Sequence, residues 1–216
     1  MTTDLYQSKP FFIEYNTELY NFRRCIEEMM GNSDLEHLHL LQNYSLLDRE
    51  HDQSTIWHKK YYDQFSKFNE IYIAFIKNYL KPLLGIEKLV YQKIPTFRVH
   101  LVGNLAVGEW HKDRTYNHGR TEVNCWLPFT NTFGNNTIWT ESEEDLGDYK
   151  PYEVNQGQIF VFNGANLNHG NKLNDTEHCR ISVDFRLVDY AKFIPSEGGS
   201  INLNTKFDIG GYFDLI

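Results

Sequence analysis

From Cys179 to Leu187 the chain alternates strictly. Cys179, Ile181, Val183, Phe185 and Leu187 are apolar, and Arg180, Ser182, Asp184 and Arg186 between them are polar. A period of two is the mark of a strand, because successive side chains leave opposite faces of the backbone. A helix would need its apolar residues three and four apart. One face of this strand is therefore made for a core. The other carries two guanidiniums, a hydroxyl and a carboxylate.

The same period recurs in Phe97–Leu101 and in Thr121–Phe129. In the latter, Val123, Cys125, Leu127 and Phe129 share one face, and Asn124 and Trp126 share the other. Gly- and Asn-containing clusters separate these runs, as at Gly103-Asn104, Gly134-Asn135-Asn136 and Asn155-Gln156-Gly157. Many short strands with turns between them predict an antiparallel sandwich or barrel.

Upstream the texture is helical. Trp57, Tyr61, Phe65, Phe68, Tyr72, Phe75, Ile76 and Leu80 make one face of a helix over 57–80, which Pro82 should stop. A shorter helix is expected over Glu18–Met30, ended by Gly31. These aromatics read as packing against a sheet. Helices that precede all the strands should lie on one outer face, giving an α+β fold. The expected organisation is one domain over residues 1–216. Residues 1–85 are its helical support, 88–190 its β core and 191–216 a C-terminal extension. In that extension Phe207, Tyr212, Phe213 and Ile216 argue for docking. It reads as a lid or as an arm reaching a second subunit in a homodimer.

Composition removes several function classes. With 21 Lys+Arg against 29 Asp+Glu the net charge is -8, so a nucleic-acid-binding role is not expected. Cys25, Cys125 and Cys179 form no CxxC pair and no even-numbered framework. No signal peptide is visible and no run approaches a membrane span, so a reduced, cytoplasmic location without membrane association is expected.

The chemistry points to His111 and Asp113. On a strand over 105–111, residues two apart project from one face, so an imidazole and a carboxylate stand side by side. These are two of the three ligands of a facial triad, which leaves open positions on a non-haem iron(II). Alone, the pair reads equally well as a surface His hydrogen-bonded to a carboxylate. A third ligand must come from a distant strand. His169 fits, because it follows the turn at Gly157 and the aromatic strand Ile159–Phe162. Arg180 and Ser182 come shortly after, on one polar face.

A His-x-Asp pair, a distal His, and an Arg followed two positions later by Ser resemble the iron(II)- and 2-oxoglutarate-dependent dioxygenase superfamily. Phe97–Leu101, Val107–His111, Asn124–Pro128, Asn135–Trp139 and Asn163–Asn171 resemble more closely the StrG-like proteins of streptomycin-type biosynthesis. These are related to the phytanoyl-CoA hydroxylase branch. The similarity spans residues 90–190. It implies a double-stranded β-helix, or jelly roll. It implies iron(II) on His111, Asp113 and His169, with 2-oxoglutarate and O2 as co-substrates. It implies that Arg180 and Ser182 clasp the far carboxylate of 2-oxoglutarate, and a planar guanidinium suits that task. Related halogenases carry a small residue in place of the acid, so the presence of Asp113 implies hydroxylation of a C–H bond or another oxidation.

Other positions follow by face and turn. Asn124 reads as a contact to the co-substrate or the metal-bound carboxylate, or as a core amide. Thr137 is a candidate co-substrate contact and Trp126 a pocket wall or packing residue. Arg98 and His100 share a face, as do Glu109 and His111, making Arg98, His100 and Glu109 candidate substrate contacts. Arg186 competes with Arg180 for the co-substrate. It stands six residues along the strand, roughly 20 Å away, and the spacing from His169 favours Arg180. Around the His-x-Asp pair lie Arg98, His100, Lys112, Arg114, His118 and Arg120, opposed by Glu109 and Asp113. A positive mouth of this kind favours an anionic small-molecule substrate, such as a phosphorylated or nucleotide-linked sugar or an acidic amino-acid derivative. The rival readings are a cupin-like metal isomerase or epimerase indifferent to 2-oxoglutarate, and a non-catalytic small-molecule-binding domain.

Overall fold

The computed structural model describes residues 2–41, 54–106, 109–196, 198–200 and 205–216. Its strands are β1 (Phe11–Glu14), β2 (Leu89–Gln92), β3 (Thr96–His100), β4 (Val123–Pro128), β5 (Ile138–Thr140) and β6 (Lys150–Tyr152). They continue as β7 (Gln158–Phe162), β8 (His169–Gly170), β9 (Arg180–Asp189), β10 (Gly199–Ser200), β11 (Thr205–Lys206) and β12 (Phe213–Leu215).

The alternating segment becomes β9, the longest strand and the spine of a seven-stranded antiparallel sheet ordered β1-β7-β4-β9-β2-β12. Its length lets it hold two partners on one edge, β3 opposite Arg180–Asp184 and β2 opposite Leu187–Asp189. The other edge pairs with β4 over Ser182–Leu187. A second, three-stranded antiparallel sheet runs β6-β5-β8.

The two faces of the large sheet bury different things. Ile181, Val183, Phe185 and Leu187 join Cys125, Leu127, Ile159 and Val161 in a core shared with the helices. Phe22, Phe68, Tyr72 and Phe75 enter it from the helical side, all fully buried. Burial of such a ring contributes roughly 2–3 kcal/mol. Tyr61 stacks flat on Phe97, with centroids 4.4 Å apart and planes 9° from parallel. On the opposite face, Trp126, Phe160 and Phe162 pack against Ile138 and Tyr152 of the small sheet. Helices, large sheet and small sheet are thus stacked in that order, with the helices on one outer face as expected. All six residues of β4 are consequently buried.

The helical half differs in detail. The helix α1 covers Phe22–Met30, capped by the Asn21 side chain and closed by Gly31 at φ 69°. The single helix expected over 57–80 is divided into α2 (Ile56–Asp63) and α3 (Phe65–Phe75), with a break at Gln64. A π turn over Ile76–Leu80 then leads into α4 (Lys81–Leu84). Pro82 therefore sits in the first turn of α4, directly after the π turn, and does not stop the helical run. Gly85, at φ 65°, ends it. β1, which pairs with β7, has no counterpart in the sequence reading. The C-terminal extension docks: β12 adds to the large sheet beside β2, and Phe207, Tyr212 and Phe213 are buried. Among the described residues no helix is long and apolar enough to cross a membrane.

Candidate metal centre

His111 and His169 are brought together by the backbone. Each donates its N–H to the other's carbonyl at 3.0 Å, an isolated antiparallel bridge between segments far apart in sequence. The imidazoles stand side by side, centroids 4.5 Å apart. Asp113 joins them by a different route from the one expected. It does not follow His111 along a strand; it opens a 3-10 turn over Asp113–Tyr116. Its N–H is tied to the carbonyl of Gly164 at 2.9 Å. Residues 107 and 108 of the expected strand lie outside the described residues. The two-residue spacing still serves, because the turn swings the carboxylate toward both rings.

The donor atoms converge. Asp113 Oδ1 lies 3.3 Å from His111 Nε2 and 3.5 Å from His169 Nε2. Among the described residues this is the one group of three or more such side chains whose donor atoms meet, all within 4.8 Å of one another. Each imidazole is oriented through its other nitrogen: His111 Nδ1 donates to the Glu109 carbonyl at 2.7 Å and His169 Nδ1 to the Leu167 carbonyl at 3.0 Å. Those bonds put the proton on Nδ1 and turn the lone pair of Nε2 toward Asp113, the tautomer a metal ligand needs. Burial keeps His169 neutral, lowering its pKa despite the nearby Asp113 charge. Burial works against the Asp113 carboxylate, yet the Arg186 guanidinium holds its pKa well below the usual range. Two neutral nitrogens and one carboxylate oxygen fit a divalent transition metal.

A cleft adjoins this trio, walled by Trp126, Ile138, Phe162, Asn171 and Arg180. Arg180 is buried, its Nη1 donating to the Asn171 side chain at 2.8 Å and the Asn136 carbonyl at 3.1 Å. Its guanidinium lies over the Trp126 ring, 5.3 Å from the centroid. Ser182 is fully buried, and its Oγ has no hydrogen-bond partner among the described residues. It does not itself line the cleft. Asn124 Nδ2 donates to Asp113 Oδ2 at 2.8 Å, so the amide serves the carboxylate. A second cavity, of about 400 Å³, is also lined by His111, Asp113, Arg98 and Arg186. Its walls include Thr115, Tyr116, Phe207 and Tyr212, so the C-terminal extension closes part of the site.

Several expected contacts are elsewhere. Thr137 is fully buried and its hydroxyl bonds the Tyr152 carbonyl and Thr132, which leaves it nothing for a co-substrate. His100 is fully buried on β3 opposite Arg180, with Nε2 on the Asn104 carbonyl. Burial and the Arg180 charge push its pKa down to about 3. It is a neutral core residue and no wall of either cavity. The Glu109 carboxylate is exposed and accepts from the Tyr116 hydroxyl at 3.0 Å; the residue acts on the site through its carbonyl. Arg98 lines both cavities, with Nε 3.4 Å from Asp184.

The basic mouth is also offset. Arg114 Nη1 reaches Glu144 at 2.6 Å and Asn166 at 3.0 Å. Lys112 Nζ is 2.5 Å from Asp145, and His118 Nδ1 is 2.6 Å from Glu122. An acidic loop some thirty residues along the chain folds onto the cations that the sequence displays as unopposed.

The residue sequence reasoning misjudged is Arg186. Its Nη2 donates to Asp113 Oδ2 at 2.7 Å. It shares the polar face with Arg180 as the alternation predicts, but serves the carboxylate. Asn171 has no role in the sequence reading, although it closes the run Asn163–Asn171 that carries the family resemblance.

No protein-family model matches the chain. The streptomycin biosynthesis protein StrG of Streptomyces griseus is 39% identical over 193 residues, which cover 88% of this chain and 90% of that protein. Among solved structures, the non-haem α-ketoglutarate-dependent carbocyclase SnoK from nogalamycin biosynthesis is similar with a TM-score of 0.59 at 13% identity, covering 98% of this chain and 94% of that one. CytC3 with Fe(II) and α-ketoglutarate gives 0.51 at 13% identity, over 88% of this chain and 80% of that one. The nickel complex of the non-haem monooxygenase ThoJ gives 0.50 at 15% identity, over 95% and 91%. At these identities the likeness is one of fold.

Proposed function

The chain belongs to the family of the streptomycin biosynthesis protein StrG, and from that premise we propose that it is an iron(II)- and 2-oxoglutarate-dependent oxygenase acting on a small polar metabolite. The observation that carries the reading is the approach of Asp113 Oδ1 to within 3.3 and 3.5 Å of two Nε2 atoms whose rings are held by backbone carbonyls. The two antiparallel sheets are read as the halves of a jelly roll with the site between them, in one oxygenase domain. A reduced cytoplasmic setting suits its three free, buried cysteines.

His111, Asp113 and His169 are the residues that would hold iron(II). When bound, iron(II) and 2-oxoglutarate supply the oxidising power: the keto acid is decarboxylated to succinate as O2 is consumed and a C–H bond of the substrate is oxidised. Every other contribution is the protein's. Arg180, already braced by Asn171 and Asn136, offers a buried cation to the distal carboxylate of the co-substrate. The Ser182 hydroxyl, without a hydrogen-bond partner among the described residues, stands on the same strand face as Arg180. Trp126, Ile138 and Phe162 exclude water from that cleft. Asn124 and Arg186 hold the Asp113 carboxylate.

The substrate is assigned to the cavity walled by the C-terminal extension. A sugar, nucleotide sugar or amino-acid derivative suits its mixture of hydroxyl, amide and aromatic walls. Arg98 lines both cavities and, although its Nε faces Asp184, its Nη1 has no hydrogen-bond partner among the described residues, so it is the cation assigned to an anionic group of the substrate.

The test is anaerobic reconstitution with iron(II) and 2-oxoglutarate. The expected result is the weak visible charge-transfer band of the chelate, diminished in His111→Ala and Arg180→Ala. No band, together with no succinate under O2, removes the oxygenase reading.

A further inference from the structure

Asp113 has two carboxylate oxygens, and the surroundings treat them differently. Oδ1 faces both Nε2 atoms. Oδ2 accepts from Arg186 Nη2 at 2.7 Å and from Asn124 Nδ2 at 2.8 Å. We propose that Arg186 is a positioning residue which reserves Oδ2, so that Asp113 offers a metal Oδ1 alone.

The case rests on how firmly Arg186 is itself held. It is 7% exposed, on β9 in the large sheet. Its Nη1 bonds Tyr212 Oη at 3.0 Å and Gln92 Oε1 at 3.2 Å. Glu122 Oε2 lies 3.7 Å from Nε, and Asp184 Oδ2 lies 3.5 Å from Nη1. These partners come from four other places: β2, the loop before β4, the same face of β9, and the C-terminal extension beside β12. A guanidinium held at Nη1 by Tyr212 and Gln92 cannot follow the carboxylate if it rotates. Rotation would also strip a buried charge of its partner, which is costly. Oδ2 is therefore fixed where it is.

The consequence rests on the function proposed above. A carboxylate can ligate through one oxygen or through two. On an octahedral ion, three protein donors leave about three positions open. A chelating keto acid would need two of them, which would leave one for O2. A second oxygen from Asp113 would fill it. Arg186 thus keeps one position open without touching substrate or co-substrate. Tyr212 gives the C-terminal extension a part in that task.

Manganese(II) substituted for iron(II) makes the proposal measurable, because its bound waters can be counted from electron paramagnetic resonance line broadening in ¹⁷O-water. The wild-type protein should hold about three waters on the ion. Arg186→Met should lose one of them, and Arg186→Lys, which returns a cation to Oδ2, should restore it. Arg186→Gln keeps a buried polar group without the reach; it should lose the same water and is the variant to read if Arg186→Met does not fold. An unchanged water count in a folded Met or Gln variant overturns the proposal and leaves the metal centre standing. Failure of the wild-type protein to bind manganese(II) in a manner abolished by His111→Ala overturns the metal centre and this inference with it.

Discussion

Gly164→Ala is a sharp probe of the site, because one added methyl group strikes one target. Gly164 lies in the turn after β7, and its carbonyl accepts the Asp113 N–H. Its φ is not in the left-handed region, so alanine meets no backbone penalty. A Cβ there would lie 2.6 Å from Asn124 Nδ2, 2.7 Å from its Cγ and 2.8 Å from its Oδ1, closer than real contacts allow. Asn124 is 4% exposed on a strand paired along both edges, so its amide has nowhere to go but off Asp113. A hydrogen bond to a charged group is worth roughly 1.5–3 kcal/mol. Loss of a partner that orients a metal ligand typically costs about 10–100-fold in metal affinity, which is the same range. Titration with manganese(II), read from the signal of the free ion, should therefore show affinity falling by roughly 10–100-fold. Asn124→Ala should show a comparable fall. The double variant should be no worse than Asn124→Ala alone, because the added methyl group then has nothing to displace. An affinity of Gly164→Ala within about twofold of wild type, or losses that multiply in the double variant, would refute the chain of contacts from Gly164 through Asn124 to Asp113.

Arg180→Ala removes a buried cation from the cleft; 2-oxoglutarate affinity should fall by about 30-fold or more, equivalent to at least ~2 kcal/mol, while manganese(II) binding stays within about threefold. Equilibrium titration of each ligand separates the two effects. Arg114→Ala should leave the KM for substrate within about twofold, since its guanidinium is taken by Glu144 and Asn166 and a partly exposed ion pair is worth about 0–1 kcal/mol; steady-state kinetics checks it. Stability should fall as the medium is acidified. His58 and His100 are buried with pKa values pushed down to about 3, by burial first and then by Arg98 and Arg180 respectively. Between pH 6.5 and about 3 the unfolded chain binds protons there that the folded chain refuses, so each costs about 1.4 kcal/mol per pH unit. Urea unfolding at pH 7.5 and 5.5 should differ by about 2–3 kcal/mol from these two groups. His58→Asn or His100→Asn should reduce that difference, and an unchanged difference would count against their neutral burial.

What was legible in the sequence, and what was not, divides by the range of the interaction. The alternation of β9 and β4 is a local property of a strand pressed between two layers, and it survives in the residue order. It yielded the large sheet, the helices on one face, and the polar face that carries Arg180 and Arg186. Helix boundaries were less legible: α2 and α3 share one apolar stripe, and only the backbone at Gln64 separates them. The donor set His111, Asp113 and His169 was legible as residue types at suitable spacings, although a backbone bridge and a 3-10 turn bring the atoms together where an extended strand was expected. The electrostatics were illegible, because partners lie far apart in the chain. Arg186 meets Asp113 across 73 residues, Lys112 meets Asp145 across 33 and Arg114 meets Glu144 across 30. A count of charges near the His-x-Asp pair finds an excess of cations, whereas the folded chain returns an anion to most of them. The error has a general cause: the anions that meet these cations come from a distant loop, and nothing in local pattern says which one. Local alternation therefore tells which guanidiniums face the site. Only the tertiary contacts tell that Arg180 is held by Asn171 and Asn136 beside the cleft while Arg186 is committed to the protein's own carboxylate.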